Sequence, residues 1–243
     1  MRYTRETEIR EQLQTKSRAE LQVLLERLIE QQPDIQPLIA TLLKLPATDS
    51  ASAPQAPGAG RICTLDPGTI RSQVTTAFSR AGGGWGAASH AAMELHRLAE
   101  IGDHFIEVGQ WANAQIVFAT IAAEILPSYE ELEDEDQIAG VLEGCIDGLV
   151  ACLEAQGDLA LEERLEEAQR RALLTSLFAL WQFDTEYGGG ESVLPDVFAR
   201  EMTDSEHALV EQWVRQTMQT GTESRQTRQM LEALATPHNA GGQ

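Results

Sequence analysis

Apolar residues recur along this chain at intervals of three and four, the spacing of one face of an α-helix. Ser17 and Glu20 have capping-box spacing, and Leu21, Leu24, Leu25 and Leu28 follow at helical intervals. Pro33-Asp34 opens a second helix with Ile35, Leu38, Ile39, Leu42 and Leu43 on its apolar face. With a preceding helix through Ile9 and Leu13, residues 1–45 are predicted to form a small N-terminal helical hairpin. The pattern stops over 46–65, a stretch rich in Pro, Ala, Ser and Gly that reads as a flexible linker. It resumes at Asp66-Pro67, a helix-start pair followed by Ile70, Val74 and Phe78, and Gly82-Gly83-Gly84-Trp85-Gly86 breaks that helix. Further helices are expected at 87–108, 112–126, 136–155 and 160–183, with Gly157-Asp158 as the turn between the last two. After a loop at Gly188 to Gly190, a helix starts at Thr203 with Asp204 and Glu206 in its first turn and Leu209, Val210, Trp213 and Val214 on it. A short helix at 222–235 ends the main domain, taken as 66–236, and 237–243 is expected to be a disordered tail. Runs of Val, Ile, Thr and Tyr with period two are missing, so no strand is predicted.

The stretch from Ala99 to Pro127 is the most specific. Around it stand Leu98, Ile101-Gly102, Phe105, Gly109-Gln110-Trp111, Ala114, Phe118 and Pro127, with small residues where two helices must touch and large ones around them. This order resembles one tetratricopeptide-type hairpin. The resemblance implies stacked helix pairs, an architecture whose usual work is holding another macromolecule. A second copy is poor, because Glu162 and Glu166 fall where Ala114 and Phe118 stand in the first. The expected fold is therefore all-α, an irregular array of tetratricopeptide-like hairpins plus the N-terminal hairpin.

Charge adds a second theme. The chain has 243 residues and a formal net charge of −20. Residues 1–45 hold seven basic and seven acidic side chains, whereas 128–167 hold fourteen acidic residues and one basic residue, Arg164. Such a surface repels phosphate backbones, so direct nucleic-acid binding by the main domain is not expected. Two readings stay open: a solvated, solubilising face, or a docking face for a basic protein partner. The residues assigned to partner binding are Glu130, Glu131, Glu133, Asp134, Glu135 and Asp136 in the acidic break, Trp85 in its glycine loop, and Leu24 and Leu28 on the N-terminal hairpin. That hairpin could also join two copies of the chain. Trp85, Trp111, Trp181 and Trp213 are the natural interface anchors, with Trp111 read as hairpin core and Trp85 as the exposed one.

Chemistry is harder to find. Glu100, His104 and Glu107 share a helix face, and His90 and Glu94 share another, but no His-Glu-x-x-His and no pair of Glu-x-x-His repeats occurs. Cys145 and Cys152 lie two turns apart on one helix and read as buried core residues; with Cys63 they make an odd, sparse set, not a disulfide framework. The glycine runs lack the Lys-Ser/Thr of a phosphate loop, and the acidic break lacks the alternation of a calcium loop. Lysine occurs only at Lys16 and Lys44. No catalytic residue, metal or cofactor is assigned, and an enzyme is not expected. The N-terminus carries no apolar signal core, and the longest apolar run, Ile116 to Ala123, is too short to span a bilayer, so a cytoplasmic protein with no membrane contact is expected.

A second resemblance covers most of the chain. Ile9, Leu13, Ser17, Glu20-Leu21, Leu24-Leu25, Pro33 and Leu38 resemble the leucine-rich hairpin that follows the zinc motif in bacterial SWIM zinc-finger proteins. The Gly109-Gln110-Trp111-Ala112-x-Ala114 hairpin, the acidic break at Glu133 to Asp136, the Cys145 helix, the Leu173–Phe183 segment leading to Asp184-x-x-x-Gly188 and the helix ending near Trp213-Val214 are similar to the region that follows. The zinc motif itself, two cysteines one residue apart and a later Cys-x-His, is absent here, so the metal does not carry over. The expected function is a non-enzymatic interaction scaffold or adaptor with an acidic docking surface. The alternative that the resemblance implies is an accessory subunit of a nucleic-acid-associated complex, working beside a zinc-finger protein.

Overall fold

A computed structural model of the chain describes residues 65–82, 87–132, 135–160, 164–187, 192–220 and 225–235, together with positions 16, 21–23 and 27. The chain divides into two units, residues 1–63 and 64–243. In the first, positions 21–23 and 27 are helical and exposed. The remainder of the expected N-terminal hairpin, the stretch 46–64, the glycine runs at 83–86 and 188–190 and the tail from 236 lie outside the described residues. In the second unit most of the described residues are helical, with no strand among them, so the protein is all-α.

Asp66 sets the start of this unit. Its carboxylate accepts from the backbone N–H of Gly68 at 3.2 Å and of Thr69 at 3.1 Å, and Pro67 occupies the first turn of α1 (Pro67–Ala81). Ile70, Val74 and Ala77 are its buried face. Helix α2 (Ala87–Glu107) turns sharply into α3 (Trp111–Ile125). At that turn Gly109 has φ 73°, its N–H donates to the Ile106 carbonyl, and the Gln110 N–H reaches back to the Phe105 carbonyl at 2.8 Å. This pair of bonds closes the C-terminus of α2 and needs the left-handed conformation that glycine adopts without strain. Asn113, 1% exposed, ties the turn to the start of the unit: its Oδ1 accepts from the Leu65 N–H at 2.8 Å and its Nδ2 donates to Gln110 Oε1 at 2.9 Å.

Helices α2 and α3 pack with α4 (Glu135–Asp158) into one three-helix cluster, and α1 lies against α2 and α3. Phe118 of α3 is its pivot. The ring is fully buried between two glycines, Gly102 of α2 and Gly148 of α4. A Cβ on Gly102 would stand 2.5 Å from the ring, and one on Gly148 closer still. Both helices therefore approach the aromatic ring with bare backbone, and the hairpin's pattern of small and large residues acquires its physical meaning there.

A short 3₁₀ turn, Leu126–Glu131, follows α3 and buries Tyr129 against Phe183 and Tyr187, at ring centroid distances of 4.5 and 5.2 Å. Helix α4 runs through Gly157 and Asp158, so the expected turn at that pair falls instead in the segment after it. Gly157 is helical, without the positive φ of Gly109. Arg164, the lone cation of the acidic window, folds back and donates to the Leu159 and Gly157 carbonyls, satisfying groups at the negative end of α4. Gln156, 2% exposed, bridges the same junction by accepting from the Leu165 N–H at 2.7 Å and donating to the Cys152 carbonyl.

Helix α5 (Glu167–Tyr187) packs on α3 and α4. Helix α6 (Leu194–Glu201) was not predicted by the spacing; Pro195 sits in its first turn, and Leu194, Val197 and Phe198 are buried. Helix α7 (Asp204–Thr220) begins with half of a capping box: the Thr203 N–H donates to Glu206 Oε2 at 2.8 Å, and the Thr203 hydroxyl donates to the same oxygen at 2.9 Å. Burial of Glu206 is outweighed by Arg170, whose guanidinium donates to both carboxylate oxygens, and by Thr203, so its carboxyl is held below the usual range. Arg170 also donates to the Glu201 carbonyl and thereby joins α5 to the ends of α6 and α7. Helix α8 (Arg225–Ala235) covers α6 and α7 through Thr227 and Met230.

Candidate functional site

The feature best suited to hold something is a groove between α2 and α4. His96, Ala99, Glu100, Asp103 and Ile106 line it from α2; His96, Ala99 or Glu100, Asp103 and Ile106 follow at intervals of three and four, one helix stripe. Gly144, Asp147, Gly148 and Ala151 line it from α4, and Phe118 lies beneath. Its volume is about 610 Å³. The groove exists because the edges that face each other are nearly bare. Ala99, Gly144, Gly148 and Ala151 carry too little side chain to fill the space that two helices leave above their line of contact.

Its electrostatics are one-sided. Glu100, Asp103 and Asp147 bring three carboxylates to the walls, and among the described residues neither lysine nor arginine lines them. Partial burial, with Glu100 and Glu107 as like-charged neighbours, pushes the Asp103 carboxyl above the usual carboxylate range. Asp103 also acts on Cys145 inside α4: burial first, and this charge second, push the thiol up to about 12. Burial likewise pushes Cys152 up to about 12, and its Sγ lies 3.8 Å from the Trp111 carbonyl. Both thiols stay protonated and shielded near neutral pH, which leaves neither poised as a nucleophile.

The residues predicted for partner binding fall elsewhere. Glu130, Glu131 and Asp136 are exposed, and none of them lines the groove; Glu130 Oε1 accepts from the Tyr187 hydroxyl at 2.6 Å. Glu135 stands at the start of α4. Trp85, Glu133, Asp134, Leu24 and Leu28 lie outside the described residues. The reading of Trp181 as an anchor is corrected: it is 1% exposed, stacked near Phe178 at 5.3 Å, and its buried Nε1 has no hydrogen-bond partner among the described residues. Trp111 and Trp213 are half-buried. The histidine face also divides. His104 lies 3.6 Å from Glu107 on the exposed side, while Glu100 turns with His96 into the groove. No group of three or more His, Cys, Asp or Glu side chains able to hold a metal ion occurs among the described residues.

Glu100, Asp103, Asp147 and Gly144 were not singled out together from the sequence. The available signal was the spacing of Gly140, Gly144 and Gly148, four residues apart on one edge of α4. Comparison with known protein families, curated proteins and solved structures found no match to this chain. Among the described residues no helix is long and apolar enough to cross a membrane.

Proposed function

We propose that this protein is a non-catalytic interaction scaffold that holds a cationic part of another protein in the α2–α4 groove. The observation that carries the reading is the groove's lining: three carboxylates from two helices, with no lysine or arginine beside them among the described residues. Placing like charges on facing walls costs energy in the unbound protein, and a bound cation offsets it. The buried thiols and the shape of the groove support holding over covalent chemistry, since no activated nucleophile stands beside a base there.

The test is affinity capture with the full chain at low and at high salt, comparing wild type with Asp103→Asn/Asp147→Asn. Basic partners that bind the wild type at low salt should be lost at high salt and from the double variant. Capture indifferent both to salt and to these substitutions removes the groove from the function.

A further inference from the structure

Three glycines of α4 have no explanation in this chain's own packing, Gly140, Gly144 and Gly157; Gly157 stands in the last turn, where a helix tolerates glycine, which leaves two in the interior. Among the described residues, a Cβ built on Gly140 or on Gly144 meets nothing within 4 Å, whereas one on Gly148 runs into Phe118. Glycine weakens a helix interior relative to alanine, so α4 carries an instability at both positions that no internal contact offsets. Gly144 lines the groove, and Gly140 lies one turn further along the same edge. Bare backbone on an open edge permits one thing that alanine or leucine does not, the close approach of another backbone.

The walls indicate what that backbone is. Every lining residue belongs to a helix whose interior N–H and C=O groups are already bonded, so the groove offers no ladder of donors and acceptors to an extended segment. A helix brings its own backbone bonds and needs only surface to lie on. The α2 wall spans residues 96 to 106, about 15 Å at the rise of a helix, or close to three turns. Charge then selects the partner. Residues 1–63 sum to zero, so the unit 64–243 carries the whole net charge of −20 and would repel a second copy of itself at this face.

We propose that the groove receives an α-helix of a basic partner protein, its backbone along the Gly140–Gly144 edge and an arginine or lysine of it between Asp103 and Asp147. This rests on the reading of the groove as a docking surface and specifies its occupant. Asp103 is already crowded by Glu100 and Glu107, and an incoming cation relieves that crowding.

The experiment uses the full chain and two fluorescent peptides of equal positive charge: one Ala/Lys/Arg-rich and helical, the other identical except for a central proline that breaks the helix. Anisotropy at low salt reads binding, and thermal melts confirm folding of each variant. The helical peptide should bind wild type more tightly than the broken one. Gly144→Leu, and Gly140→Leu as a second variant, should weaken it by about tenfold or more with no fall in melting temperature, and Asp103→Asn/Asp147→Asn should weaken it as much. Equal binding of both peptides, or indifference to both leucine variants while the asparagine variant still loses binding, overturns the helix and leaves the acidic groove standing. Indifference to the asparagine variant, or no binding of either peptide to wild type, overturns both.

Discussion

The seam around Phe118 of α3 and the groove above it share helices α2 and α4, with Gly148 at the border of both, and they differ in what their other glycines meet. In the seam, Gly102 and Gly148 clamp the Phe118 ring, and a methyl group at either position would overlap it. Along the groove edge, Gly140 and Gly144 face open space. One residue type thus serves opposite ends: close packing inside the cluster, and an unfilled surface beside it. The difference teaches that a glycine in a helix is interpretable only through what an added Cβ would touch. It also separates positions where change should harm folding from positions where change should harm only what the surface does.

The largest effect should come from breaking the seam. Phe118→Ala removes a fully buried ring and is expected to cost about 3–5 kcal/mol of unfolding free energy, read by urea denaturation. Gly148→Ala should cost about 1–3 kcal/mol through overpacking, because the ring is held from both sides and has nowhere to swing. The two losses should not add. With the ring gone, the new methyl group meets little, so the double variant should be less destabilised than the sum. Full additivity would mean that Gly148 is needed for some reason other than the ring.

The groove edge should respond with the opposite sign. Gly140→Ala and Gly144→Ala are each expected to raise stability by about 0.5–1 kcal/mol, since alanine restricts the unfolded chain and nothing in the folded one obstructs it. Thermal melts beside Gly148→Ala put the comparison in a single experiment. Destabilisation at Gly144 would show that the edge is packed after all and would erase the distinction between the two regions.

How far these regions were legible in the sequence follows from the range of the interactions involved. The α2–α3 hairpin could be read because its signals are local: Gly109 at the turn, Phe105 and Phe118 on facing sides, small residues between. The short helix at Leu194 was missed because its eight residues span barely two turns beside a glycine run, too few for periodicity to register. The groove was not legible. Asp103 and Asp147 lie far apart in sequence, and each is one carboxylate in a strongly acidic chain; only the fold brings them to facing walls. The acidic break drew the functional assignment because it is dense in sequence, yet density along the chain is not convergence in space, and its described members do not line the groove. Arg164 shows the converse. A lone cation in an acidic run looks incidental, and it caps the end of α4.

The smallest effect tests the electrostatic half of the comparison. Asp103 titrates above its unfolded value of 3.8, so the folded state holds its proton more tightly than the unfolded one. Whatever the group costs is absent below the unfolded value and appears in full once pH rises through the folded one. Asp103→Asn removes that cost. The variant should match wild type near pH 3 and exceed it at pH 7, by no more than about 0.5 kcal/mol because the site is partly open to solvent. Melting temperatures across that range read the difference. Seam variants should show no such dependence, since their losses arise from packing and carry no proton. A gap between Asp103→Asn and wild type that widened toward acid would mean the carboxylate is stabilised where it stands, and the crowding that makes this groove receptive to a cation would be gone.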